Sequence, residues 1–150
     1  MPRIERQAAV VWEGNLARGE GRVTAASTGA FTELPFSLPS RVAVAQGKTS
    51  PEELLAAAHG GCITMSVAGE LTSAGFPPER LDVTVTIVMD EVGERGHLIV
   101  GSEVDVVARV EGIDEDAFAA VVRTADEACP FSTLIRASAS VTVRARLEAS

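Results

Sequence analysis

Apolar and polar positions along the chain mark out strands at both ends and a long helical stretch between them. Gln7 to Glu13 and Gly21 to Ser27 carry β-branched residues, separated by the turn-rich Gly14-Asn15-Leu16-Ala17-Arg18-Gly19. That combination predicts two antiparallel strands joined by a loop. Phe31 to Val44 predicts a further strand or strand pair, interrupted by Pro35 and Pro39, which suit edges and turns.

Ser50-Pro51-Glu52-Glu53 is a helix-start signal. Serine caps, proline fits the first helical position, and Glu53 completes a capping box at the positive helix end. The predicted helix runs to about Ala74 and stops at Gly75, with Pro77 and Pro78 beyond. Apolar residues occupy most of its faces, which predicts burial nearly all round. Next, Leu81, Val83, Val85, Ile87 and Met89 alternate with Asp82, Thr84, Thr86 and Val88 as a half-buried strand. His97 to Val110 is its hairpin partner across Gly93-Glu94-Arg95-Gly96. Asp114 caps a second helix to about Glu127, with Phe118, Val121 and Val122 on its apolar side. Ser132 to Ala137 fits one short helical turn, and Val141, Val143, Ala145 and Leu147 form a last strand. Strands and helices that do not alternate regularly indicate an α+β fold. With no internal repeat and no long linker, residues 1–150 are expected to form a single domain.

Composition narrows the partners. Hydrophobic residues make up 46% of the chain, enough for a core without staples, and the formal net charge of -8 argues against nucleic acid or an anionic membrane surface. Met1-Pro2-Arg3-Ile4-Glu5-Arg6 contains no apolar leader. The uncharged stretch from Leu54 to Gly69 is interrupted by His59, Gly60 and Gly61 and falls short of the ~20 apolar residues a membrane span requires. A cytoplasmic location is therefore expected.

In a reducing cytosol, the chain's two cysteines, Cys62 and Cys129, are more often catalytic or redox-sensing than a permanent disulfide. The plainer alternative is that both are small buried hydrophobes. Cys62 follows His59-Gly60-Gly61 inside the first helix, and each glycine there costs about 0.8–1.0 kcal/mol relative to alanine. Such a cost implies close approach by a backbone, a ligand or a second helix, or simple helix packing. Cys129 precedes Pro130, which disfavours helical geometry at the cysteine and places it in a terminus or turn. One fixed thiol and one mobile thiol suit an attacking and a resolving partner. An attacking thiol, with an ordinary pKa of about 8.5, needs a nearby cation. Arg18, Arg22, Arg41 and Arg136 are the candidates, and Glu52 or Glu53 could orient a guanidinium through a bidentate contact. His59 and His97 have no tight spacing to cysteine, so no metal site is expected, and no nucleotide-binding fingerprint is present. Trp12 is expected to be a core or interface anchor.

Four segments together resemble a known family: Trp12-Glu13-Gly14, Ala17-Arg18-Gly19-Glu20-Gly21, Ser50-Pro51-Glu52-Glu53-Leu54-Leu55-Ala56-Ala57-Ala58-His59-Gly60-Gly61-Cys62, and Ala128-Cys129-Pro130. The pattern is similar to the OsmC/Ohr family, the osmotically inducible and organic hydroperoxide resistance proteins, and lies closer to the OsmC branch. The resemblance spans essentially the whole chain. It implies antiparallel strands wrapped around two long central helices in an intertwined homodimer, with active sites at the subunit interface. It also implies a peroxidase of oxidative stress defence that needs no cofactor. Cys62 matches the peroxidatic cysteine and Cys129 the resolving one. Arg18 matches the arginine that holds the thiolate, and Glu52 the glutamate paired with that arginine. Organic hydroperoxides are the implied substrates, favoured over hydrogen peroxide by apolar walls expected from Ile63, Met65, Phe131 and Leu134. A dithiol, such as a lipoylated protein, is the implied reductant. Relatives often carry alanines before the cysteine and phenylalanine after it, whereas this chain has Gly60, Gly61 and Ile63, which changes the pocket's shape. A redox-sensing thiol protein and a non-catalytic binding module are the competing expectations.

Overall fold

The computed structural model describes residues 2–149, and the fold divides after Leu54 into two compact units. The first holds an antiparallel sheet of β1 (Ala9–Glu13), β2 (Glu20–Thr24) and β3 (Leu34–Phe36), in that spatial order. The turn from β1 to β2 closes through the Gly19 amide on the Asn15 carbonyl at 2.7 Å. It also uses the Arg18 amide, which donates to Asn15 Oδ1 at 2.9 Å. Glycine is required at position 19, because a Cβ there would collide with the carbonyls of Asn15 and Glu13.

Phe31 to Val44 does not form a strand pair. Only β3 is extended, and the rest turns into a short helix, α1 (Leu38–Val42). A local cap decides this. Ser37 and Ser40 form a reciprocal capping box, and Pro39 sits in the first turn, where its missing N–H costs nothing.

The long helix α2 (Pro51–Ser73) begins in the first unit and continues into the second. Ser50 caps it as expected, its hydroxyl accepting from the Glu53 amide at 3.1 Å. The box is not reciprocated, because the Glu53 carboxylate instead accepts from the Thr49 hydroxyl at 2.8 Å. At the other end Gly75, at φ +88, completes a Schellman stop. Its amide bonds the Thr72 carbonyl at 3.1 Å, and the Phe76 amide bonds that of Leu71 at 2.8 Å.

Burial of α2 is not all round. His59, Ile63, Val67 and Leu71 form one buried stripe at four-residue spacing, while Ala57, Gly61, Met65 and Gly69 on the opposite face are exposed. Among the described residues the helix is fully buried along that one stripe only. By length and composition it could cross a membrane, yet its buried stripe joins the core of the second unit.

That core also takes Val104, Val106 and Ala108 from β5 (His97–Arg109), and Phe118, Val122 and Ala125 from α3 (Glu115–Ala128). Asp114 caps α3 through its side chain on the Ala117 amide at 2.8 Å. Beyond α3 follow α4 (Pro130–Arg136) and β6 (Ser140–Leu147). The sheet runs β4 (Arg80–Glu91), β5, β6. The β4–β5 hairpin is antiparallel, as expected, but β6 pairs parallel to β5, so the strands are not all antiparallel. The reason is topological: α3 and α4 form a crossover between β5 and β6, and a crossover returns the chain in the same direction.

Candidate functional site

Both cysteines lie in the second unit and meet. The Cys129 thiol is hydrogen-bonded to Cys62 Sγ with the sulfurs 3.4 Å apart, and both cysteines are free. Cys62 projects from the middle of α2 and is half-buried. Cys129 occupies the junction of two helices, ending α3 and starting α4. Its backbone is extended (φ -74, ψ 116), as Pro130 demands of the preceding residue. The side chain is fully buried. Burial pushes the Cys62 thiol above its ordinary range, the neighbouring Cys129 adds to the rise, and the Phe131 amide opposes it. None of these influences is a cation.

The glycines before Cys62 differ in role. A Cβ on Gly60 would lie 3.3 Å from Val85 of β4, so this glycine serves helix–sheet packing. At Gly61 a Cβ would meet nothing within 4 Å. Of the apolar residues expected to wall the site, Ile63 is instead fully buried in the core, on the stripe one residue away from Cys62. Phe131 is half-buried, while Met65 and Leu134 are exposed at 72% and 65%.

The implied Arg18–Glu52 pair is not formed within the chain; the partner of Glu52 is Arg41. Arg41 stands in the last turn of α1 and reaches the first turn of α2 with a two-pronged contact. Its Nε lies 2.9 Å and its Nη2 2.6 Å from Glu52 Oε1. Burial works to raise the Glu52 pKa, but hydrogen bonds and charge from Arg41, with help from Ser50, hold it below the usual range. Arg22 pairs with Glu13 and Arg136 with Asp126. Arg18 makes no ion pair among the described residues, and it lines an open cleft of about 560 Å³ in the first unit together with Glu20, Ser37, Ser40 and Lys48. Trp12 packs at 5.8 Å against the Phe36 ring.

Sequence reasoning passed over a buried polar chain beside the cysteines. His59 is fully buried, with Nδ1 2.7 Å from the Ser102 hydroxyl and Nε2 2.8 Å from that of Ser132. Burial lowers its pKa; the Arg136 charge acts in the same direction and Asp126 against it. The available signal was spacing, since His59 stands three residues before Cys62 and Ser132 three after Cys129, one helical turn in each case. Among the described residues no cluster of His, Cys, Asp or Glu is arranged to hold a metal ion.

Comparison with known proteins bears on the whole chain. Residues 44–144 match the family model described as OsmC-like protein. Peroxiredoxin OsmC of Escherichia coli is 33% identical over 134 residues, covering 89% of this chain and 92% of that protein. An organic hydroperoxide resistance protein-like chain of Mycoplasma pneumoniae is 25% identical over 129 residues, covering 85% of this chain and 89% of that one. In structure, the organic hydroperoxide resistance protein OhrB of Bacillus subtilis superposes with a TM-score of 0.69 at 21% identity, over 93% of this chain and 98% of that one. An OsmC-like protein of unknown function from Vibrio cholerae gives a TM-score of 0.76 at 12% identity, over 96% of this chain and 100% of that one. On the family match and the Escherichia coli relative together, this chain belongs to the OsmC-like protein family.

Proposed function

We propose that the chain is a thiol-dependent peroxidase that reduces organic hydroperoxides through a Cys62–Cys129 cycle. The observation that carries this reading is the pair of free thiols 3.4 Å apart, one on a packed helix and one at a helix junction. The names of the relatives, peroxiredoxin OsmC and organic hydroperoxide resistance proteins, point to the same chemistry. The Cys62 thiolate attacks the peroxide oxygen, the O–O bond breaks, and the alkoxide leaves as alcohol after taking a proton. Cys62 is then a sulfenic acid. Cys129 condenses with it, forming the S–S bond and releasing water. An external dithiol, such as a lipoylated protein, returns both thiols by exchange.

Arg18 is assigned to hold the thiolate and the departing oxygen, and Glu52 to orient a guanidinium. The reading includes a homodimer in which one subunit's Arg18 and Glu52 serve the partner subunit's Cys62. The exposed, small-residue face of α2 (Ala57, Gly61, Met65 and Gly69) is the surface suited to that close contact. Partner charge would also counter the upward pull of burial on the Cys62 thiol. The work belongs to oxidative stress defence in the cytoplasm.

Treatment of the reduced protein with one equivalent of a tertiary alkyl hydroperoxide tests the cycle. Intact mass should show an intramolecular disulfide in the wild type, a sulfenic acid progressing to irreversible oxidation in Cys129→Ser, and no change in Cys62→Ser. A sulfenic acid that forms on Cys129 in Cys62→Ser as readily as the wild type oxidises would contradict the assignment.

A further inference from the structure

The Cys62–Cys129 contact has a neighbour built in the same way. His59 lies one turn before Cys62 on α2, and Ser132 lies one turn after Cys129 on α4. The 2.8 Å His59–Ser132 bond and the 3.4 Å sulfur contact are therefore adjacent rungs between the same two helices. The other imidazole nitrogen is tied to Ser102 of β5 at 2.7 Å, so the ring is held at both ends and cannot turn freely. His59, Ser102 and Ser132 are all fully buried. A hydroxyl both donates and accepts, so a neutral imidazole is satisfied in this chain in either tautomer.

Core packing alone does not call for such a chain, because an apolar side chain would fill the space without three polar groups to satisfy. A buried group left without its partner costs on the order of 1–3 kcal/mol, so the chain acts as one unit. What it fixes is α4, a helix of seven residues that carries Cys129 at its start. We infer that His59 and Ser132, anchored by Ser102, form a positioning device that sets the approach of Cys129 to Cys62 and so governs how readily the two sulfurs join.

The inference rests on the two-cysteine cycle but concerns one step of it. In that step the Cys62 S–O bond breaks and the S–S bond forms. The Cys129 thiol proton leaves with the hydroxyl as water. The sulfurs must close from 3.4 Å to about 2.05 Å. Rotation about the extended junction at Cys129 can supply that closure while the rung one turn away stays intact. None of the three polar side chains touches peroxide in this account. They act through the placement of a thiol, not on the reacting oxygen.

The test separates the steps with Ser132→Ala, Ser132→Thr and Ser102→Ala. Quenched single-turnover reactions with a tertiary alkyl hydroperoxide follow sulfenic acid and disulfide by intact mass. In Ser132→Ala the sulfenic acid should form at the wild-type rate but persist about fivefold longer, the effect of losing one net hydrogen bond. Ser132→Thr keeps the hydroxyl and should recover the wild-type lifetime. Ser102→Ala leaves the rung between the helices and should have the smaller effect. A second arm needs no peroxide: equilibration of each variant in dithiothreitol redox buffers should show the Ser132→Ala disulfide disfavoured by a similar factor. An unchanged sulfenic acid lifetime and an unchanged thiol–disulfide equilibrium in Ser132→Ala would overturn the inference. Slowing of both steps together with a lowered melting temperature would overturn it too, as general loosening. Failure of the peroxidase reading shows separately, as absence of sulfenic acid in the wild type, and leaves the equilibrium arm to decide on the device.

Discussion

Oxidation of the Cys62–Cys129 pair should stabilise the protein strongly, because the sulfurs are already in contact across a long loop. The two residues are 67 apart in sequence and 3.4 Å apart in space. In the chain-entropy model a loop of that length removes about 15 cal/mol/K from the unfolded ensemble, or about 4 kcal/mol at 25 °C. Native strain subtracts from this. With the sulfurs already in contact, little strain is expected to be subtracted. At 2–4 °C per kcal/mol for a chain of this size, the expected rise in melting temperature is roughly 8–16 °C. The assay is thermal and urea denaturation of fully reduced and fully oxidised protein at one fixed concentration, with Cys129→Ser as the control that cannot close the loop. Mass spectrometry establishes the redox state of each sample. An oxidised protein no more stable than the reduced one would refute the reasoning, because the bond would then form only at the expense of native packing.

On its proposed role as the cation beside the thiolate, Arg18→Ala should shift the pH profile of Cys62 alkylation to higher pH; an unchanged profile would assign that role to another arginine. The proposed contact through the exposed face of α2 predicts that Gly61→Ala weakens self-association measured by sedimentation. The same change on a solvent-facing helix would instead add about 0.8–1.0 kcal/mol of stability, so a more stable variant with unaltered assembly would remove this face of α2 from the interface. His59 has a folded-state pKa below its unfolded value of about 6.5, so its contribution is complete above that pH and lost as pH falls. Between pH 7.5 and 5.5, urea midpoints of the wild type should therefore fall more than those of His59→Gln, at a slope of at most about 1.4 kcal/mol per pH unit. Parallel midpoints would contradict it.

Local signals carried far in this chain. The Ser50 cap, Gly75 and the paired prolines placed α2 almost to the residue, because each acts through the backbone within one turn. The Cys129 junction was legible for the same reason, since a proline restricts the residue before it wherever the chain goes. Other features depended on what lies across space. The run from Phe31 to Val44 has strand-like composition, yet Ser37 and Ser40 close a capping box that a reading of apolar pattern does not weigh. The parallel pairing of β6 with β5 depends on the path of α3 and α4, not on the alternation within β6. The apolar surface of α2 predicted burial nearly all round, but pattern does not say which face finds cover, and the stripe from His59 to Leu71 is the one that does.

At the site, both cysteines were visible as residue types with meaningful neighbours. The guanidinium on Glu52 was not, because four arginines were open to it and only the position of α1 selects Arg41. His59 stayed hidden because its partners lie 43 and 73 residues away.

Catalytic turnover tests the central claim most directly. Purified protein, a tertiary alkyl hydroperoxide in excess and a dithiol such as dihydrolipoamide should consume many equivalents of peroxide per subunit, with Cys62→Ser inactive and Cys129→Ser losing activity after the first turnover. Consumption that stops at one equivalent in the wild type, or continues undiminished in Cys62→Ser, would contradict the account.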